Sequence, residues 1–256
     1  MSDIRPDQTM KLACSSITFG KLKKESDCAR MLQEIKDAGY EALQIEHRFL
    51  PSSLIRNPGR VAELIRDAGL KSVAVAVTSD PYTIRFTKEV DGKVGTLCLF
   101  EGDKKRALDQ ARNIAKLAHE SAVILAIHPH IQSDVETIQD VELYLNYCRR
   151  YAPKLVFDTA HFTALGWDLS NFIARFHEYI AVVHLKDLKE LKSPDAVNFR
   201  RDFVDVGDGI VDFGKVVSSL KKEKFEGWLV VEIDYARENG VSRSITKNYE
   251  RLSSLL

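Results

Sequence analysis

The chain has 256 residues, with 37 basic and 37 acidic side chains and a formal net charge of zero. Hydrophobic residues make up 45% and charged residues 29%, a composition typical of a globular protein with one large core. The charge balance argues against a broad nucleic-acid-binding surface, although a local basic patch is compatible with a neutral total. Because no long apolar run occurs and the N-terminus is polar, we expect no membrane span and no signal peptide.

The cysteines and glycines exclude several kinds of site. Cys14, Cys28, Cys98 and Cys148 are scattered without metal-binding spacing, so we expect reduced thiols in a cytoplasmic protein. No glycine-rich phosphate-binding loop occurs, so we expect no nucleotide cofactor.

In the first half of the chain, short β-branched segments alternate with amphipathic helical segments. This alternation predicts βα units and a parallel sheet. Asn57 is expected to cap the second helix, and Gly39 and Gly69 to end the first two. The predicted elements are strands at residues 12–19, 42–46, 72–77 and 94–100, with helices at 26–38 and 58–68.

Residues 82–90 form the weakest part of this pattern. They carry many β-branched and aromatic side chains without recognisable caps, so they predict a poor helix at best. We therefore expect an irregular or shortened third βα unit. A hairpin over residues 83–99 is the alternative, because Asp91-Gly92 is a typical turn.

The second half of the chain repeats the alternation more clearly. Eight strands in total predict a single (β/α)8 barrel domain over residues 1–256. A long loop is expected between residue 185 and Gly209. The predicted elements are strands at residues 123–128, 154–158, 181–185 and 228–233, with helices at 104–119, 135–151, 169–179, 213–223 and 242–255.

Polar side chains follow four of these apolar strands at the point where each strand ends: His128, Asp158, His184 and Glu232. The carboxyl ends of parallel barrel strands meet at one face, which is where such barrels place their active sites. Imidazole and carboxylate are ligands that suit a divalent metal. The four strand ends therefore predict a metal site. Glu232 is also the best candidate for a general base.

Further polar residues accompany these strand ends. His130 lies two residues after His128, on the same side of an extended chain, and Lys186 shares a face with His184. His130 and His161 are predicted to donate a proton or orient their neighbours, and Lys186 to contact a substrate oxygen. Glu46, at the end of the second strand, is either a pocket residue or a loop carboxylate.

Each assignment has a structural alternative. His128 and His130 are alternatively a surface-loop pair. Asp158 is alternatively the N-cap of the following turn. His184 is alternatively a core histidine beside a solvated lysine.

Four sequence strings resemble the xylose-isomerase-like barrel superfamily, which includes sugar isomerases, sugar epimerases, inosose dehydratase and endonuclease IV. The resemblance covers residues 123–234 most clearly. It implies one divalent ion, Mn²⁺, Co²⁺, Mg²⁺ or Zn²⁺, held by His128, Asp158, His184 and Glu232. The strings are Phe157-Asp-Thr-Ala-His161, Val183-His-Leu-Lys-Asp187, Val206-Gly-Asp-Gly-Ile-Val-Asp-Phe213 and Gly227-Trp-Leu-Val-Val-Glu-Ile-Asp234.

At one position, residue 128, this chain differs from many members of the superfamily, and this difference bears on which reaction it catalyses. Many of the superfamily's isomerases and epimerases have a glutamate where this chain has His128, and they use it with the last-strand glutamate as an acid/base pair. The histidine-rich string resembles the inosose-dehydratase branch instead. It implies dehydration of a keto-cyclitol or keto-sugar, with sugar isomerisation or epimerisation as the alternative. Lys186 and Arg201 would hold substrate oxygens.

Two other functions are distant alternatives. An endonuclease IV-like nuclease would need three metals and a basic face, which the neutral composition disfavours. A non-catalytic barrel subunit is compatible with the weak third unit. The expected partner is a small carbohydrate or cyclitol and not nucleic acid or membrane, and a homo-oligomer is compatible with the sequence.

Overall fold

The computed structural model describes residues 10–234 and 240–256, and within them eight parallel strands close into a barrel. Their order around the barrel is β1-β10-β7-β6-β5-β4-β3-β2, and β1 pairs with β2 to complete the ring. This arrangement confirms the predicted (β/α)8 fold. The barrel strands are β1 (Lys11–Ser15), β2 (Ala42–Glu46), β3 (Lys71–Ala76), β4 (Val94–Leu97), β5 (Ile124–Ile127), β6 (Lys154–Asp158), β7 (Ile180–Leu185) and β10 (Trp228–Val231). Two further strands, β8 (Asp187–Leu188) and β9 (Phe203–Val204), form a separate two-stranded sheet.

Helices surround the barrel and bury their apolar faces against the strands. Within the described ranges, no helix combines the length and apolar character that crossing a bilayer requires. The helices are α1 (Glu25–Asp37), α2 (Ser52–Ile55), α3 (Pro58–Asp67), α4 (Pro81–Glu89), α5 (Lys104–Glu120), α6 (Ile138–Cys148), α7 (Thr159–Ala164), α8 (Leu169–Phe176), α9 (Phe199–Asp202), α10 (Phe213–Lys222) and α11 (Val241–Ser253).

The third βα unit contains a short, regular helix, so the hairpin alternative is wrong. Helix α4 has nine residues, begins with Pro81 and is capped by the Asp80 carboxylate, which accepts from the Tyr82 N–H. The Asp80-Pro81 pair is therefore a helix start signal that the sequence prediction missed. Ile84 and Phe86 are fully buried, so packing against the barrel outweighs their modest helix propensity.

Three other elements differ from the prediction. Strand β1 ends at Ser15, where a 3-10 turn begins. A short helix that was not predicted, α7, follows β6 directly, and the Asp158 carboxylate caps its first turn. The loop after β7 contains an antiparallel pair, β8 and β9, instead of irregular chain.

The Asp187 carboxylate holds this loop in place. It accepts hydrogen bonds from the backbone N–H groups of Leu188, Gly207, Gly209 and Val211. A Cβ on Gly209 would lie 2.2 Å from the Leu188 carbonyl oxygen, so only glycine fits there. The loop carries Phe199 back to the face of the barrel where the strands end.

Alanine and valine side chains fill the barrel interior. The alternation of side chains along each strand then determines which residues face inward at the carboxyl ends of the strands. Side chains alternate along a strand, so the residue two positions further on also faces inward. On β5, β6, β7 and β10 these next inward positions are His128, Asp158, His184 and Glu232. The apolar interior cluster includes one residue from each strand: Ala13, Ala42, Ala74, Val94, Ala126, Val156, Val182 and Val230.

Candidate active site

A cavity of about 510 Å³ opens at the carboxyl ends of the barrel strands. Its walls combine charged groups with aromatic rings, among them Phe100, which is 60% exposed at the rim. A cavity with a few convergent polar groups is the usual form of a small-molecule site. The residues that line it include Gln44, Glu46, Arg48, Cys98, His128, His130, His184, Phe199, Glu232 and Asp234.

Three of the four predicted metal ligands meet in one cluster at the base of this cavity. Asp158, His184 and Glu232 are buried, and one ligand atom of each lies within 4.8 Å of the others. His184 Nδ1 is 3.5 Å from Asp158 Oδ2 and 3.8 Å from Glu232 Oε2. The cluster offers one nitrogen and two carboxylate oxygens, a donor set that suits zinc or manganese.

The hydrogen bonding of His184 fits a cation in this cluster. Its Nε2 is 2.9 Å from Gln44 Oε1, an acceptor, so Nε2 carries a proton and donates it to this oxygen. The buried Nδ1 has no hydrogen-bond partner within the described residues. Its lone pair therefore faces two carboxylate oxygens, which is unfavourable unless a positive charge lies between them.

Asp158 caps the following helix, as one of the two sequence alternatives predicts, and its other carboxylate oxygen faces the candidate metal cluster. Its Oδ1 accepts from the N–H groups of Ala160 and His161 and so caps α7. Its Oδ2 faces His128 and His184. Burial opposes its charged form, but the surrounding histidines and Lys186 outweigh burial and hold the pKa of Asp158 well below its usual range.

His128 joins Asp158 in a second group of ligand atoms. His128 Nε2 is 3.2 Å from Asp158 Oδ2, and His161 completes this group. On the other side of the ring, His128 Nδ1 lies 3.4 Å from Cys98 Sγ, which orients the imidazole. The two groups of ligand atoms share Asp158.

The other predicted histidines lie together beside the cluster. The rings of His130 and His161 are 3.6 Å apart, and Phe199 packs at the edge of both. Burial, reinforced by the neighbouring His128 and Lys186, lowers the pKa of His130 to about 3. Burial also lowers the pKa of His128 and His161, so these imidazoles are neutral near pH 7, the form that binds metals.

Lys186 lies beneath the cavity floor and is only 1% exposed. Its ammonium is 2.6 Å from Glu232 Oε1 and 2.9 Å from Asp234 Oδ2. Burial opposes its charge, but the two carboxylates outweigh burial and raise the pKa of Lys186. Lys186 is thus a paired cation that neutralises buried acids, and it does not line the cavity as a substrate contact would.

The remaining predicted substrate contacts differ in position. Glu46 is buried, lines the cavity, and forms an ion pair with Arg48 at 2.9 Å. Arg201 is exposed on α9 and is not among the residues that line the cavity. Sequence reasoning missed Arg48 and Gln44. Gln44 has a recognisable signal, because it lies two residues before Glu46 on the same strand face.

The model of the family described as "Xylose isomerase-like TIM barrel" matches residues 90–251, which is more than half of the chain. The chain belongs to this family.

Several relatives of this chain are named inosose dehydratases. That of Bacillus thuringiensis strain Al Hakam is 23% identical over 181 residues, which cover 67% of this chain and 60% of the relative. That of Bacillus anthracis is 25% identical over 176 residues, which cover 65% and 59%. The chain therefore matches about 60% of the length of these relatives.

Solved structures of the xylose isomerase-like fold superimpose on nearly the whole chain. The probable 3-DHS dehydratase AsbF of Bacillus anthracis has a TM-score of 0.76 at 13% identity, covering 95% of this chain and 99% of AsbF. The IolI protein, solved with a zinc atom bound, has a TM-score of 0.76 at 19% identity, with 96% of each chain covered. The 3-keto-D-glucoside 4-epimerase YcjR of E. coli has a TM-score of 0.75 at 17% identity, covering 96% and 100%. At these identities the likeness establishes the fold alone.

Proposed function

We propose that the protein is a divalent-metal-dependent enzyme that removes the proton next to the carbonyl of a keto-cyclitol or keto-sugar. The observation that carries this proposal is the unpartnered His184 Nδ1, which faces the carboxylates of Asp158 and Glu232 at the base of the cavity. Asp158, His184 and Glu232 would hold the ion, and His128 would complete its shell. The ion would supply a Lewis acid that polarises the substrate carbonyl.

The residues around this cluster supply orientation and exclude water. Gln44 fixes the proton of His184 on Nε2 and thereby keeps Nδ1 free as a ligand. Cys98 contacts Nδ1 of His128 and so orients that ring. The aromatic rings of Phe100 and Phe199, which pack against His130, form an apolar wall for the carbon face of a sugar.

Dehydration is the reaction we favour. The curated relatives are inosose dehydratases, and a histidine stands at position 128 where many epimerases have a second glutamate. Epimerisation is the second candidate, favoured by a specific observation. Glu46 presents another carboxylate to the cavity, and proton return on a second face needs such a group.

Asp158→Asn tests the metal site. Asparagine caps helices about as well as aspartate, so α7 should be retained while the charge on Oδ2 is lost. We expect protein purified without chelator to lose nearly all of its bound divalent metal. Metal content is measured by elemental analysis of the purified protein.

Asp168→Asn is the matched control, because Asp168 caps α8 by the same kind of bond but is exposed and outside the cavity. It should bind metal like the wild type. Equal metal content in all three proteins would rule out Asp158 as a ligand.

A further inference from the structure

Both oxygens of the Glu232 carboxylate are engaged, which limits its use as a base. Oε1 accepts from the Lys186 ammonium at 2.6 Å, and Oε2 faces His184 Nδ1 in the proposed metal cluster. A carboxylate held as a ligand and ion-pair partner is a weak proton acceptor, so the geometry favours a different base.

Glu46 offers the carboxylate that Glu232 does not. It ends β2, which lies directly across the barrel from β6, the strand that carries Asp158. The Glu46 side chain is 6% exposed, and it lines the cavity. Oε1 accepts from Arg48, whereas no described residue donates a hydrogen bond to Oε2.

The end of β2 is held close to the proposed metal cluster. Gln44, on the same strand face, reaches His184 with a hydrogen bond of 2.9 Å. The backbone N–H of Glu46 donates to Ser16 Oγ at 2.7 Å, which fixes the start of its side chain. Arg48, with 60% of its side chain exposed, holds one carboxylate oxygen from the open side. Burial also raises the pKa of Glu46, although Arg48 opposes this, and a raised pKa makes a carboxylate a better proton acceptor.

We propose that Glu46 is the general base of the reaction and that Arg48 is its positioning residue, an inference that rests on the proposed function. Glu46 Oε2 takes the proton from the carbon next to the substrate carbonyl. The electron pair of the broken C–H bond forms a carbon–carbon double bond, and the carbonyl π pair moves to oxygen. In dehydration the pair on oxygen re-forms the carbonyl, the double bond shifts, and the β-hydroxyl leaves with the proton from Glu46 as water. In exchange or epimerisation a proton returns to carbon.

The test is Glu46→Gln, measured with Mn²⁺ and an inosose in D₂O by NMR. We expect metal content equal to that of the wild type and a rate of deuterium uptake lower by about 10²-fold or more, as for loss of a general base. Glu46→Asp keeps the charge on a shorter side chain, so it should recover part of the rate. Arg48→Met should lower kcat while leaving metal content unchanged.

Asp234→Asn is the comparison, because Asp234 also lines the cavity, lies outside the proposed ligand set and contacts the same lysine as Glu232. A rate of deuterium uptake by Glu46→Gln within a few-fold of the wild type overturns the inference. The contradiction is most direct if Asp234→Asn takes up no deuterium. A wild-type protein that exchanges no proton with any inosose or keto-sugar contradicts the proposed function itself and the inference with it. Wild-type exchange that depends on Glu46 supports both.

Discussion

Replacing Glu232 with glutamine should lower turnover by about 10²-fold or more. The sequence predicts this loss because a lone carboxylate at the end of an apolar strand is a natural general base. The structure favours a different reason, the loss of a metal ligand, since Glu232 Oε2 lies 3.8 Å from His184 Nδ1 in the proposed metal cluster. Glutamine preserves the shape of the side chain but removes its charge, so metal affinity should fall together with turnover.

A metal titration separates these two reasons. Glu232→Gln is loaded with increasing Mn²⁺ while bound metal and turnover are both followed. If saturating Mn²⁺ restores much of the turnover, Glu232 acts as a ligand. If the variant binds Mn²⁺ as tightly as the wild type yet remains inactive, Glu232 is the base and the assignment of that role to Glu46 is wrong. Turnover within a few-fold of the wild type would contradict both roles.

Replacing Lys186 with methionine should destabilise the protein by about 3–5 kcal/mol, the usual effect of removing one partner from a buried ion pair. The Lys186 side chain is 1% exposed and contacts both Glu232 and Asp234, so its loss leaves one buried and one partly buried carboxylate without their cation. Urea unfolding of metal-free protein measures this change in the free energy of unfolding.

Two comparisons make this prediction specific. The triple variant Lys186→Met, Glu232→Gln, Asp234→Asn removes the charges on both sides and should regain most of the lost stability. Lys192→Met removes a partly exposed lysine that pairs with Asp202 at 2.7 Å, and it should have a much smaller effect. Equal stability of Lys186→Met and the wild type would contradict the buried pair.

The alternation of strands and helices made the barrel predictable, and the strand ends made much of the candidate site predictable. Side chains two positions apart share a strand face, so residues such as His128 and Glu232 must point into the same interior once the barrel closes. The third unit was harder because the aromatic and β-branched side chains of α4 resemble strand residues. Their burial against neighbouring elements is a tertiary effect that local propensity does not contain.

Contacts across the barrel could not be predicted in the same way. The bond between Gln44 and His184 joins residues 140 positions apart in the sequence, and no local pattern indicates it. Lys186 shares the face of His184 as predicted, yet its ammonium is paired with two carboxylates from the last strand and lies below the cavity. Arg201 illustrates the reverse, because its charge suggested a substrate contact whereas α9 leaves it exposed.

Deuterium uptake by candidate substrates is the most direct measurement of the central claim, that this barrel removes a proton next to a carbonyl with the help of a bound divalent ion. Purified protein with Mn²⁺ or Co²⁺ is incubated with an inosose and a panel of keto-sugars in D₂O, and NMR follows the α-proton and loss of water. We expect metal-dependent disappearance of the α-proton signal, accompanied by dehydration, with neither in chelator-treated protein. Clean epimerisation without water loss would overturn the preference for dehydration. The absence of deuterium uptake with every compound, in protein shown to contain the metal, would contradict the proposed function.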